Sequence, residues 1–388
     1  MERLNTIISN FSATYSLLEI ILGGVIILSF IIQISLYLGL YRRIAKFRLM
    51  KRKPIRTEEP AISIVVPLFA EDYSYLDNGL TKLLTQNYSK FEVVLVYVGK
   101  SNDFFTDIKS LTRLYPNLSP IQIDYSPRYP VSTKIALNVG IKGAKYDFIV
   151  TTTSQSTPAS ERWLSFLAKG FLYGDITVGY SGLQQQRGFR NFIFREYQFN
   201  EALNWISSAL RRRPYAASRN AFGFKKSLYF DVRGYNPLGM NVGESDLFLQ
   251  KIATRDNVSV VLSPRATTTE RIWGGWGWWW NRIKLLNSTH RYYPRWAMAA
   301  TTSELIFRAI FFASVIVAIA LLPSVFKVVA LTLFAIRFIL VQLVITRNAQ
   351  RLGEVGLVLP HFCYDIIEPA LRFFVALATN RSHKKRWS

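Results

Sequence analysis

The chain has one cysteine, Cys363, and only three histidines among its 388 residues. A single cysteine excludes an internal disulfide, and so few soft ligands exclude a zinc site of the usual kind. Acid is scarce too: 25 Asp and Glu stand against 48 Lys and Arg, for a formal net charge of +23. That excess does not point to nucleic acid, because the basic clusters adjoin apolar runs and suit anionic lipid headgroups. Membrane lipids are therefore the expected partners. Internal repeats are absent, and the only low-complexity tract is a Trp/Gly run at 273–280.

Long apolar sequence is abundant, and it lies at the two ends. Residues 17–41 form one nearly uncharged stretch, with Glu19 near its start. At 1.5 Å rise per residue it is long enough to cross a hydrocarbon core of about 30 Å. A cleaved signal peptide fits poorly, since the run is too long and no basic region leads it. Eight basic residues and no acid follow: Arg42, Arg43, Lys46, Arg48, Lys51, Arg52, Lys53 and Arg56. The positive-inside bias puts this end in the cytoplasm and the N-terminus outside. Two further spans are expected at 304–322 and 325–346, separated by Pro323. Arg337 within the second is costly in a bilayer unless it is paired or snorkels. Segment 356–378 carries Pro360, His361, Asp365, Glu368, Pro369 and Arg372. It is expected to be interfacial or re-entrant, because a fourth crossing would export the basic tail.

These patterns divide the chain into an anchor and basic linker (1–56), a central domain (57–270), a Trp-rich interfacial segment (271–303) and a C-terminal membrane region (304–388). In the central domain, strands at 61–67, 91–98, 121–124 and 147–152 alternate with helices at 73–86, 103–114 and 132–144. Continuous Val/Ile runs separated by helices predict an α/β fold with a mostly parallel sheet covered on both faces. In such sheets ligands bind at the carboxyl ends of the strands, here the loops after Pro67, Val98 and Thr152.

The order of several segments resembles membrane-bound family-2 glycosyltransferases of the bacterial envelope branch. The strand ISIVVP with Glu71-Asp72 resembles the family's opening strand and loop. Gln86-Asn87-Tyr88 before Phe91–Val96 resembles Q-x-Y-x-x-x-E-I-I-V-V, and Lys134–Ile141 resembles K-x-x-A-L-N-x-G-I. Ser218-Arg219-Asn220 and Gly234-Tyr235 look like the acceptor-side segment, and Gly243–Leu247 resembles the acidic motif that holds the catalytic base. The resemblance covers roughly residues 60–300. It implies a nucleotide-diphosphosugar transferase (GT-A) domain on the cytoplasmic face of a bacterial inner membrane. It further implies Pro67, Glu71, Tyr97, Lys134, Thr153 and Gln155 on the nucleotide-sugar side, and Arg219, Trp278, Arg282 and Lys284 on the diphosphate and acceptor side.

Against that pattern, four positions depart. The family's D-x-D aspartates, which hold a divalent cation against the donor diphosphate, are replaced by Thr153 and Gln155, and neutral oxygens are weak ligands for a hard cation. No metal site and no metal cofactor are therefore expected. Both nucleoside-binding acids are lost at Tyr97-Val98-Gly99, where Tyr97 reads either as a base-stacking ring or as a buried strand-end residue. Lys134 reads either as a replacement positive charge or as an ordinary helix residue. Glu244 and Asp246 are the candidate general bases, and their alternative role is to support a helix N-terminus. In the Q-x-x-R-W region only Arg282 and Lys284 keep their character. Trp273, Trp276, Trp278, Trp279 and Trp280 fit an interfacial membrane helix better than sugar stacking.

Two functions follow from the resemblance. One is a catalytically degenerate relative that serves as a scaffold or subunit, with protein partners, in envelope glycan or glycolipid assembly. The other is an active, metal-independent inverting transferase moving a sugar from a nucleotide sugar to a lipid-linked glycan.

Overall fold

The computed structural model describes residues 15–51, 53–125, 131–235, 242–357 and 361–384. Residues 1–14, Pro360 and the last four residues of the basic tail, three points on which the topology argument drew, lie outside the described residues. Three helices are long and apolar enough to cross a membrane: α1 (Leu17–Lys46), α10 (Arg295–Leu321) and α11 (Ser324–Leu352). Helix α1 opens with a capping box in which the Ser16 hydroxyl and the Glu19 carboxylate satisfy each other's backbone N–H. Helix α10 starts at Arg295 instead of near residue 304, because Glu304 lies inside it, buried and ion-paired with Arg308 at 2.7 Å. Pro323 caps α11, and Gly353 closes it in the left-handed conformation.

The central domain is built on a seven-stranded sheet in the order β3-β2-β1-β4-β8-β6-β9. Its strands are β1 (Ile62–Leu68), β2 (Phe91–Val98), β3 (Leu118–Ile123), β4 (Phe148–Thr151), β6 (Ile176–Gly179), β8 (Phe222–Lys225) and β9 (Val258–Val261). Pairings are parallel except where β8 joins β4 and β6. Strand β1 is buried along its whole length, as a central strand covered by helices on both faces must be. Helices α2 (Thr81–Leu84) and α3 (Asn102–Ser110) pack on one side. On the other lies α4 (Thr133–Gly143), where a side chain at Gly140 would meet Val65 at 2.5 Å. Helices α5 (Trp163–Phe171) and α6 (Phe189–Leu210) complete the core. Two short helices follow, α7 (Lys226–Asp231) and α8 (Asp246–Ile252).

A second sheet of three strands, β5 (Ser156–Pro158), β10 (Thr268–Glu270) and β7 (Ser181–Leu183), sits at the mouth of the cleft. Helix α9 (Trp276–Asn287) then leads into α10, and α12 (His361–Lys384) packs against α6, α9 and α10. Helix α12 is not among the three long apolar helices. It brings its charged residues to buried partners: Asp365 meets Arg337 at 2.5 Å and Glu368 meets Arg308 at 2.6 Å. Gln33 of α1 adds a bond to Arg337 at 3.1 Å. The intramembrane arginine is thus paired.

Candidate active site

Strand register assembles the cleft. Strand β4 ends at Thr151, opposite Phe222 of β8, so the loop after β4 lies beside the turn before β8. There the Thr153 hydroxyl donates to the Asn220 side-chain carbonyl at 2.8 Å. Strand β5 follows immediately and pairs with β10 so that Ser156 faces Glu270. Glu270 is buried and accepts from Asn220 Nδ2 at 3.1 Å and from Arg282 Nη2 at 2.8 Å. A chain of bonds therefore runs Thr153–Asn220–Glu270–Arg282. Gln155 is exposed, and its backbone carbonyl accepts from the Arg271 N–H. Among the described residues, no three His, Cys, Asp or Glu side chains converge as metal ligands would. Thr153 and Gln155 do not suit a hard divalent cation.

The acidic motif is placed just as firmly. Gly243 adopts φ +102°, a conformation open to glycine, and turns the chain into α8. Glu244 is buried and accepts from Arg219 Nη2 at 2.6 Å, and its charge is the largest influence raising the Arg219 pKa. Asp246 is the first residue of α8. Its Oδ1 accepts from the Leu247 N–H at 2.8 Å, and its Oδ2 from Thr289 at 2.6 Å and Tyr293 at 2.7 Å. Those bonds tie α8 to the turn after α9. Lys134 is buried near both acids: burial lowers its pKa, while Glu244 and Asp246 pull it back up.

On the donor side, Pro67 is buried at the end of β1 and Glu71 is exposed in the loop beyond. Tyr97 is buried, tilted against Phe104 at 5.1 Å and stacked on Phe105 at 6.4 Å. Burial raises its pKa, Ser101 opposes the rise, and the neighbouring Glu71 adds to it. Its ring folds over Gly99, where any Cβ would lie 2.1 Å from the hydroxyl. Tyr97 thus fills the end of β2 as a packed strand-end residue.

The Trp-rich helix departs from the interfacial reading at one residue. Trp279 is buried, stacked on Phe194 at 4.8 Å and edge-on to Tyr197. It packs inside the protein, because the face of α9 that carries it lies on α6. Trp273 and Trp276 are exposed, and Arg282 lies 5.9 Å from the half-buried Trp278 ring. Lys284 is also half-buried.

Arg219, Glu244, Asp246, Glu270 and Arg282 line one cavity of about 120 Å³. A second, of about 330 Å³, opens between α6, α10 and α12. The two share Tyr197, Glu201, Tyr215, Asn287, His290 and Tyr293. Among these site residues, sequence reasoning missed Glu270 and the role of Asn220. The only local signal was a carboxylate ending a Thr-rich stretch just upstream of the tryptophans.

A parallel sheet with its cleft at the strand carboxyl ends, a β8 insertion and an acid-led α8 define a GT-A glycosyltransferase fold. The chain belongs to glycosyl transferase family 21, whose family model matches residues 27–380. That family is similar to the family 2 whose motifs the sequence resembles. Among solved structures, the chain is similar to the mannosyltransferase PcManGT from Pyrobaculum calidifontis, solved in complex with GDP-Man and Mn2+. The TM-score is 0.54 at 17% identity, over 90% of this chain and 98% of that one. S. aureus TarS 1–349 also matches, at a TM-score of 0.40 and 18% identity, over 65% of this chain and 69% of that one. No curated protein sequence matches.

Proposed function

We propose that this chain is a membrane-bound family 21 relative that needs no divalent cation and has lost sugar transfer. In this reading it serves as a scaffold or subunit in the assembly of an envelope glycan or glycolipid. The observation that carries the reading is that the cleft's cations are bound to its own carboxylates, Arg219 to Glu244 at 2.6 Å and Arg282 to Glu270 at 2.8 Å. A donor diphosphate needs free positive charge to receive it, and an acceptor hydroxyl needs a free carboxylate to take its proton. Here a substrate would have to break charge-assisted bonds, each made to a buried carboxylate, to obtain either. Asp246 holds three hydrogen bonds that serve the local fold. The basic run that starts in the last turns of α1 and continues beyond it supports a domain on the cytoplasmic face of a bacterial inner membrane.

An active, metal-independent transferase is the second reading. The joined cavities favour it, since a lipid-linked acceptor entering between α10 and α12 would meet Asp246, with Lys134 nearby. Calorimetric titration of the full chain with GDP- and UDP-sugars, with and without Mn²⁺, tests the metal claim. Any nucleotide affinity is expected to be unchanged by Mn²⁺. A tenfold gain with Mn²⁺ would reveal a metal site and overturn the proposal.

A further inference from the structure

Positive charge converges on a groove at the seam between the α/β domain and the membrane helices. The groove encloses about 480 Å³ and is lined by Arg212, Arg213 and Arg255, with Gln250, Pro294 and Trp296 beside them. Its arginines come from two separate segments, the turn after α6 and the turn after α8. No acid is among the lining residues. Asp256 reaches Arg212 at 2.9 Å, but both side chains are largely exposed and such a pair screens weakly. Arg212 holds φ +60°, a left-handed conformation that glycine takes without cost, so the chain keeps an arginine where the backbone favours none. One cation would be enough to complement the C-terminal dipole of α6; Arg212 and Arg213 already exceed that need, and Arg255 comes from the turn after α8.

The position of Trp296 points to the ligand. It is the second residue of α10, at the end of that span nearest the domain, and it is 39% exposed. Indoles favour the headgroup boundary. The Arg213 guanidinium lies over its ring at 5.8 Å, and Tyr215 meets the same ring edge-on at 5.8 Å. Pro294 caps α10 without a side-chain hydrogen bond, so the positive end of the helix dipole also faces this seam.

We propose that this groove binds the phosphate headgroup of an anionic glycerophospholipid. Arg213 and Arg255 take the phosphate, and Trp296 lies against the glycerol and the first acyl carbons. The site is separate from the two cavities and does not depend on whether the cleft transfers sugar. Tyr215, which lines both cavities, meets Trp296, so an occupied groove also buttresses the wall of the cleft.

The test titrates the full chain in neutral detergent with short-chain phosphatidylglycerol, phosphatidylcholine and inorganic phosphate, read by calorimetry. Phosphatidylglycerol is expected to bind at least tenfold more tightly than either of the others. The paired change Arg213→Gln and Arg255→Gln is expected to weaken it about fivefold per arginine. Neutralising Arg42, Arg43 and Lys46 together should leave it within twofold. Trp296→Ala, which keeps every arginine, is expected to weaken phosphatidylglycerol at least fivefold and tests the groove should the paired variant fail to fold. Equal affinity for the two lipids, an unchanged paired variant, or a loss that follows Arg42, Arg43 and Lys46 would overturn the proposal. Inorganic phosphate binding as tightly as phosphatidylglycerol would overturn its assignment to lipid.

Discussion

At the scale of single residues, the sequence places Thr153 and Gln155 where the resembled family carries two aspartates, and the structure sets Thr153 in the loop after β4, bonded to Asn220. The carboxylate further along the same hydrogen-bonded chain was not legible. Glu270 is far from Thr153 in sequence and reaches it only through the pairing of β10 with β5 and through Asn220. The resemblance puts its partner Arg282 on the diphosphate and acceptor side, and in the structure that guanidinium pairs with Glu270. Glu270 is buried and the Arg282 side chain is only 11% exposed, so removing one member strands a poorly solvated charge. Glu270→Gln is expected to cost about 3–5 kcal/mol of stability. The paired change with Arg282→Gln should recover part of that loss. Thermal melting in detergent reads both variants, and a cost under about 1 kcal/mol for Glu270→Gln would contradict the account.

At the scale of elements, the parallel strands and their helices were legible because buried Val/Ile runs and capping residues are local signals. Ser101 and Ser132, for example, cap α3 and α4 through their hydroxyls. The orientation of α9 was not legible. Five tryptophans in eight residues look alike to a composition argument, and only tertiary packing decides which ring meets Phe194. Trp279→Ala is expected to destabilise the fold by about 3–5 kcal/mol, as loss of a large buried ring does. Trp276→Ala, at a residue 49% exposed, should cost less than half as much. The reverse order in a melting experiment would mean that α9 presents its other face to the domain.

At the scale of the whole molecule, buried charge joins the membrane helices to the α/β domain. Glu354, just beyond α11, accepts from Arg195 of α6 at 2.6 Å and from Tyr180 at 2.6 Å. Arg372 of α12 pairs with Glu201 of α6 and with Glu368 at 3.0 Å. The charged residues of segment 356–378, Asp365, Glu368 and Arg372, stood out in the sequence, whereas Glu354 carried no such signal. Their partners lie on α6, α10 and α11, at separations that no local pattern reports. These buried pairs hold the α/β domain against the long apolar helices whether or not it transfers sugar.

The most direct test of lost transfer is release of nucleoside diphosphate from GDP- and UDP-sugars by the full chain in lipid nanodiscs supplied with membrane lipid extract. Glu244→Gln and Asp246→Asn are run beside it, since both are near-isosteric. The account predicts no release above a protein-free blank, and the same result for both variants. Release by the unaltered chain that falls about 10²–10⁴-fold in either variant, as loss of a general base produces, would contradict it and establish a working transferase.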